Sequence, residues 1–106
     1  MSIASDLIRG HTETIILAQL LSKDSYGYEI NKRIQESTKG EYELKEATLY
    51  SAFRRLENAG MIESYWGDET TGARRRYYKI TLLGRALYEQ NKQDWEKNKL
   101  LIDSLI

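Results

Sequence analysis

Apolar residues recur at helical spacing over four stretches of the chain and at alternating spacing over two more. From Ile3 to Ser22 the run is apolar nearly all round. Ile8, Ile15 and Ala18 share one face, Leu7, Leu17 and Leu21 a second, and Ile16 and Leu20 a third. A helix with no wholly polar side is covered on more than one side. The spacing therefore predicts a helix over 3–22 that meets its own core and a further surface. Lys23, Asp24 and Ser25 interrupt the pattern, and Ser25 stands where the next helix needs a cap. In that helix, over 26–38, Tyr26, Ile30 and Ile34 lie four apart, and Gly40 supplies a stop. Tyr42 and Leu44 then alternate with Glu41, Glu43 and Lys45, which predicts a short strand.

The helical period returns over 46–59, with Leu49, Phe53 and Leu56 in one narrow arc and Ala52 beside them. The opposite arc carries Ala47, Tyr50, Ser51, Arg54 and Asn58, with Arg55 at its edge. Gly60 suits the left-handed position that ends a helix. Ile62, Ser64 and Trp66 alternate with Glu63 and Tyr65, as in a strand. The polar stretch 67–72 is bracketed by Gly67 and Gly72 and makes a turn. A return strand over 73–80 puts Arg74, Arg76, Tyr78 and Ile80 on one face and Arg75, Tyr77 and Lys79 on the other. Thr81 is a cap for a last helix of about 25 residues, roughly 35–40 Å long at 1.5 Å per residue. Its stripe of Leu83, Leu87, Asn91, Trp95, Lys99 and Ile102, with Leu101 and Leu105 beside it, is too long to bury against so small a domain. Pairing with a second copy is the simplest way to cover it.

Composition changes this picture little. With 106 residues the chain is one domain with a modest core, and its 41% hydrophobic and 30% charged residues are ordinary for a globular protein. The absence of Cys excludes disulfides and thiolate metal sites, and the absence of Pro suits uninterrupted helices. The longest apolar run, Thr14 to Leu21, is too short to span a bilayer, and the first four residues lack the features of a signal peptide. A cytoplasmic protein with no membrane partner is expected.

Charge matters through its distribution. The net charge is zero, but residues 45–80 carry seven Lys and Arg against five Asp and Glu, while residues 1–44 carry five against seven. A helix with short polar and basic groups on its outer face, followed directly by a basic hairpin, is the order of a recognition helix and a wing. Wing arginines reach phosphates or the flanking minor groove, and alternation keeps Arg74, Arg75 and Arg76 from all pointing one way. Arg76 is expected to brace the hairpin or pair with a carboxylate. Catalysis finds no support: His11 is the single histidine, there is no Cys, and no phosphate-binding glycine loop opens a helix. His11 is expected to be a structural or interface residue, and no metal or cofactor is expected.

Three segments, YGYEI (Tyr26 to Ile30), EATLYSAFRRLENAGMI (Glu46 to Ile62) and GARRRYYKITLLG (Gly72 to Gly84), together resemble the PadR family of transcriptional regulators. ELKEATLY, SYWGDE and the tryptophan of the last helix are most similar to its multidrug-binding, LmrR-like branch. The resemblance implies a mainly α fold with a small β-wing. Residues 1–80 would form a winged helix-turn-helix domain, with the helix over 3–22 also contributing to a dimer, and residues 81–106 a dimerisation helix. It implies a homodimeric repressor of double-stranded operator DNA. Lys45, Thr48, Tyr50, Ser51, Arg54 and Arg55 would contact DNA from the helix, and Arg74 and Arg75 from the wing. Lys45 stands where the relatives carry a capping Asn; it cannot cap, but it can reach a phosphate. The resemblance further implies a planar aromatic small molecule stacked between Trp95 and its dimer mate, with Leu7, Thr14, Ala18, Lys99 and Ile102 around it. Lys99 replaces an acidic residue of the multidrug pattern, and Thr14 and Ala18 replace an apolar residue and an amide. A preference for cationic drugs therefore does not carry over, and Lys92 and Lys99 point to neutral or anionic aromatics. Two other readings fit the same residues: a winged-helix repressor without a ligand, in which Trp95 is seam packing, and a winged-helix protein-interaction module that binds no DNA.

Overall fold

A computed structural model describes residues 7–68 and 74–106. A 3-10 turn, Arg9–His11, leads into α1 (Thr12–Gln19), which is followed by α2 (Gly27–Ser37), α3 (Glu46–Asn58), β1 (Ile62–Trp66), β2 (Arg76–Ile80) and α4 (Leu82–Leu105). The two strands form an antiparallel hairpin in which Ile62 faces Ile80 and Trp66 faces Arg76.

The core is built from α1 and the turn after it, α2, α3 and the hairpin, with Leu87 and Tyr88 of α4 packed against its edge. Ile16, Leu17 and Leu20 meet Ile30 and Ile34 of α2, Leu49, Ala52, Phe53 and Leu56 of α3, and Ile62, Tyr78 and Ile80 of the hairpin. The 3.6-residue period placed the α2 and α3 contributions correctly, because both helices have one polar side. At the centre Phe53 stacks on Tyr78, with ring centroids 3.9 Å apart and planes 17° apart.

Four expectations are corrected. The first helix is shorter than 3–22: residues 3–6 lie outside the described residues, and the α-helical part stops at Gln19. There the amides of Leu20 and Leu21 bond back to Leu17 and Ala18, three residues away, which tightens and ends the helix. Ser25 caps nothing. The residue preceding α2 is Tyr26, without a side-chain cap bond. Ser25 is fully buried, and its backbone exchanges two hydrogen bonds with Tyr78, 3.2 and 2.7 Å long, as a third rung beside the hairpin. Tyr42–Leu44 is an extended linker and not a strand. In place of a partner strand, the Asn31 side chain donates to the Leu44 carbonyl and accepts from its amide, both at 2.8 Å. The return strand begins at Arg76, not at residue 73; residues 69–73, which include most of the expected turn, lie outside the described residues.

Caps and stops otherwise follow the residues. Gly40 and Gly60 adopt φ of 81° and 77°, and Lys39 shares the left-handed region at 54°. Thr81 caps α4 by accepting the Gly84 amide at 3.0 Å, while its own amide donates to the Met61 carbonyl at 3.0 Å. A polar cluster ties α1 to α2. Arg33 donates to the Gln19 carbonyl at the end of α1 (2.8 Å) and to Glu29 (2.9 Å), and the Ser25 hydroxyl donates to the same Glu29 oxygen at 2.6 Å. The Ser25 hydrogen bond, helped by Arg33 and Lys23 and opposed by burial, holds the Glu29 carboxyl below its ordinary range. A depressed folded-state pKa stabilises the fold above the unfolded value, and that stability is lost as pH falls through the folded value. Glu29→Gln should therefore lower the urea midpoint at pH 7. The gap to wild type should close as pH drops below about 4, which a pH series of urea melts would check.

Gly84 has a steric role in the first turn of α4. A Cβ there would sit 2.1 Å from the Met61 carbonyl oxygen and 2.9 Å from Ile80. Gly84→Ala gains up to about 1 kcal/mol of helix propensity. The clash is with backbone, so it should cost more than the ~1–3 kcal/mol of an overpacked core. Net destabilisation in a denaturant melt is the expected outcome.

Candidate nucleic-acid interface

The outward face of α3, the start of α2 and the turn end of the hairpin enclose an open cleft of about 630 Å³. Tyr50 and Arg54 enter it from α3, and Arg74, Arg75 and Arg76 from the return arm of the hairpin. Tyr50 is 42% exposed, with its ring edge-on to Phe53 at 5.6 Å. Its hydroxyl lies over Gly27, where a Cβ would come within 2.8 Å of it. Arg54 is exposed and forms no ion pair among the described residues.

The wing arginines divide between two faces, as alternation requires. The Arg74 guanidinium lies 5.8 Å from the Trp66 ring centroid and donates to the Gly67 carbonyl at 3.3 Å. Arg75 lies over Tyr26 at 4.9 Å. Arg76 braces the hairpin as expected, donating to Ser64 at 2.7 Å and pairing with Glu57 at 3.4 Å. Among the described residues Glu57 is the one carboxylate lining the cleft, and it pairs with Arg76.

Of the eight residues expected at DNA, Tyr50, Arg54, Arg74 and Arg75 thus converge on one cleft. Lys45 and Thr48 are exposed at the start of α3, outside it. Arg55 and Ser51 are engaged elsewhere: Arg55 pairs with Glu13 of α1 at 2.9 Å and donates to the Ser51 hydroxyl at 3.1 Å. Tyr26, Tyr28 and Trp66 line the cleft and were not among the expected contacts. Periodicity marked Tyr26 as a core position, and nothing local ties these rings to arginines far along the chain.

A second concavity, about 680 Å³ and mostly apolar, lies between α1 and α4. Leu7, Thr14, Ala18, Trp95 and Ile102 line it, five of the six residues expected around a ligand. Lys99 does not; it points to Glu96 at 3.0 Å. Lys92 and Asn98 are the polar groups that α4 contributes instead. His11 stands edge-on to Trp95, with centroids 5.2 Å apart and planes at 73°, a position the sequence did not disclose. Asn91 donates to Thr14 at 2.9 Å and holds the two helices together above the groove. Beyond Asn91 every α4 residue is exposed, Trp95 at 43% and Leu105 at 79%.

Among the described residues no group of three metal-ligating side chains occurs, and no helix is long and apolar enough to cross a membrane. A recognition helix packed behind a two-stranded wing defines a winged helix-turn-helix protein of the transcription-regulator class. The model of the transcriptional regulator PadR-like family matches residues 16–90, and the chain belongs to that family, whose members are regulators and not enzymes. An uncharacterised protein of Lysinibacillus sphaericus is 46% identical over 101 residues, 95% of this chain and 93% of that one. A transcriptional regulator from Clostridium thermocellum superposes with a TM-score of 0.90 at 50% identity, covering 99% of both chains. A PadR family transcription regulator from hypervirulent Clostridium difficile gives 0.78 at 38% identity, over 91% of this chain and 98% of that one.

Proposed function

We propose that the protein is a homodimeric, DNA-binding transcriptional repressor whose grip on its operator is modulated by a planar aromatic molecule, as in the multidrug-binding branch of the family. The observation that carries the DNA reading is the convergence of Tyr50, Arg54, Arg74 and Arg75 on one positively charged cleft. A helix face beside a basic hairpin can set base-edge contacts and phosphate contacts side by side. The dimer reading rests on the overhang of α4. Trp95, Leu101, Ile102 and Leu105 are exposed together on a segment that no other described residue buries. Burying each of the aliphatic side chains against a second copy would contribute about 1.5–3 kcal/mol. A two-fold dimer would set its α3 helices to read major-groove segments about 34–36 Å apart.

The ligand reading rests on the groove between α1 and α4. It is apolar, carries a tryptophan, and is open on the side the second copy would close. Among the described residues its lining includes Lys92, which Glu96 approaches at 3.7 Å, and His11 but no carboxylate, which favours neutral or anionic aromatics over cations. A ligand can shift the dimer only through different affinity for two arrangements of it. A groove between the two helices proposed to flank the seam would change shape with the dimer angle, which supports such a difference.

The DNA test is a salt titration of operator binding. Arg54→Ala should cost about 1–3 kcal/mol if it reads a base. Arg75→Ala should weaken all sequences alike and reduce the salt slope by about one. No change for either would favour a protein-interaction module. For the ligand, Trp95→Ala should abolish calorimetric binding of a planar probe such as naphthalene-2-carboxylate while gel filtration still reports a dimer. Unchanged binding would reduce Trp95 to seam packing in a ligand-independent repressor.

A further inference from the structure

The wing's cation stands on a ring supplied by a different part of the chain. Arg75 lies with its guanidinium carbon 4.9 Å from the centroid of Tyr26, the extended residue just before α2. Tyr26 is half-buried and held from several directions. On one side its neighbour Ser25 is bonded through the backbone to Tyr78, and on the other Gly27 is packed under the Tyr50 hydroxyl. The ring itself meets Tyr77 edge-on at 5.4 Å; Tyr77 stacks on Tyr65 at 5.6 Å, and the Tyr65 hydroxyl donates to Asp24. That bond is the main reason the Tyr65 phenol is pushed up to about 12. A chain of rings thus runs from the α1–α2 loop, across the outer face of the hairpin, to the arginine.

We propose that Tyr26 is a positioning residue for Arg75, holding the wing cation pointed at the DNA backbone before DNA arrives; this rests on the DNA-binding reading. A surface arginine has a large rotamer entropy, and binding a phosphate requires that most of it be surrendered. A guanidinium already resting on a fixed aromatic face has surrendered part of it on folding, and the ring's electron-rich face keeps it oriented. Tyr26 adds nothing to the number of phosphates neutralised. It therefore affects affinity without affecting the salt slope.

The test uses a 30-base-pair mixed-sequence duplex, with anisotropy measured across a salt series. It compares wild type, Tyr26→Phe, Tyr26→Leu, Arg75→Ala and the Tyr26→Leu/Arg75→Ala double variant. Tyr26→Phe should bind like wild type, since the ring is kept. Tyr26→Leu should bind about 2- to 5-fold more weakly with an unchanged salt slope. In the Arg75→Ala background the leucine should have no further effect. If Tyr26→Leu fails to give a wild-type urea melt, Tyr26→Met fills the same space without a π face and takes its place. Wild-type affinity in the leucine or methionine variant, or an equal loss with and without Arg75, would overturn the positioning role while leaving DNA binding intact. Failure of the wild-type protein to bind the duplex at low salt would instead overturn the DNA reading and the positioning role with it.

Discussion

Tyr78 is the residue on which the geometry of the cleft depends. Its backbone joins the hairpin to the loop ahead of α2 through Ser25, and its ring stacks on Phe53 of the recognition helix. One residue of β2 thereby sets the wing against both α2 and α3. A two-stranded hairpin alone is marginal in water. Here it gains a third rung and an aromatic contact in the core, and the arginines at its turn end inherit a fixed position relative to Tyr50 and Arg54. The cleft follows from that attachment, since Tyr78 ties the hairpin to both of the elements that form the other walls.

Much of this was legible in the chain wherever a pattern repeats. The four-residue spacing of Ile30 and Ile34 and the arc of Leu49, Phe53 and Leu56 each identified the element and its buried side, while the alternation in β1 identified the strand but not a buried face, since Trp66 is exposed. Arg76 was separable from its neighbours because alternation fixes which side chains share a face, and Glu57 and Ser64 lie on that face. Five groove residues were also assigned in advance, because the family resemblance carried over a spatial arrangement that no local spacing contains.

What was not legible depends on partners distant in sequence. Ser25 followed by Glu29 looks like the start of a helix, and the bond between their side chains does form; but its backbone is taken by Tyr78, 53 positions away. Tyr42 and Leu44 alternate like a strand, yet alternation is not a strand without an edge to pair with, and Asn31 supplied both hydrogen bonds first. Lys92 and Lys99 each pair with Glu96, at 3.7 and 3.0 Å, and only the rotation of α4 decides that Lys92 also lines the groove while Lys99 does not. The pairing of Arg75 with Tyr26 joins two segments about fifty residues apart, and composition carries no trace of it.

Gly84 gives α4 a mechanical character. Because the helix lies directly on the Met61 carbonyl, with Thr81 bonded to the same residue, its first turn is fastened to the base of the wing with no flexible joint between. A rod of 24 residues is about 36 Å long at 1.5 Å per residue. Fixed at one end, it acts as a lever: a tilt of about 5° moves the far end by roughly 3 Å over that length. The same coupling works in reverse, so a displacement imposed near Leu105 reaches the wing as a rotation of the whole head and not as a bend in a linker. The smallest side chain in the helix is what makes the rod and the head a single rigid part.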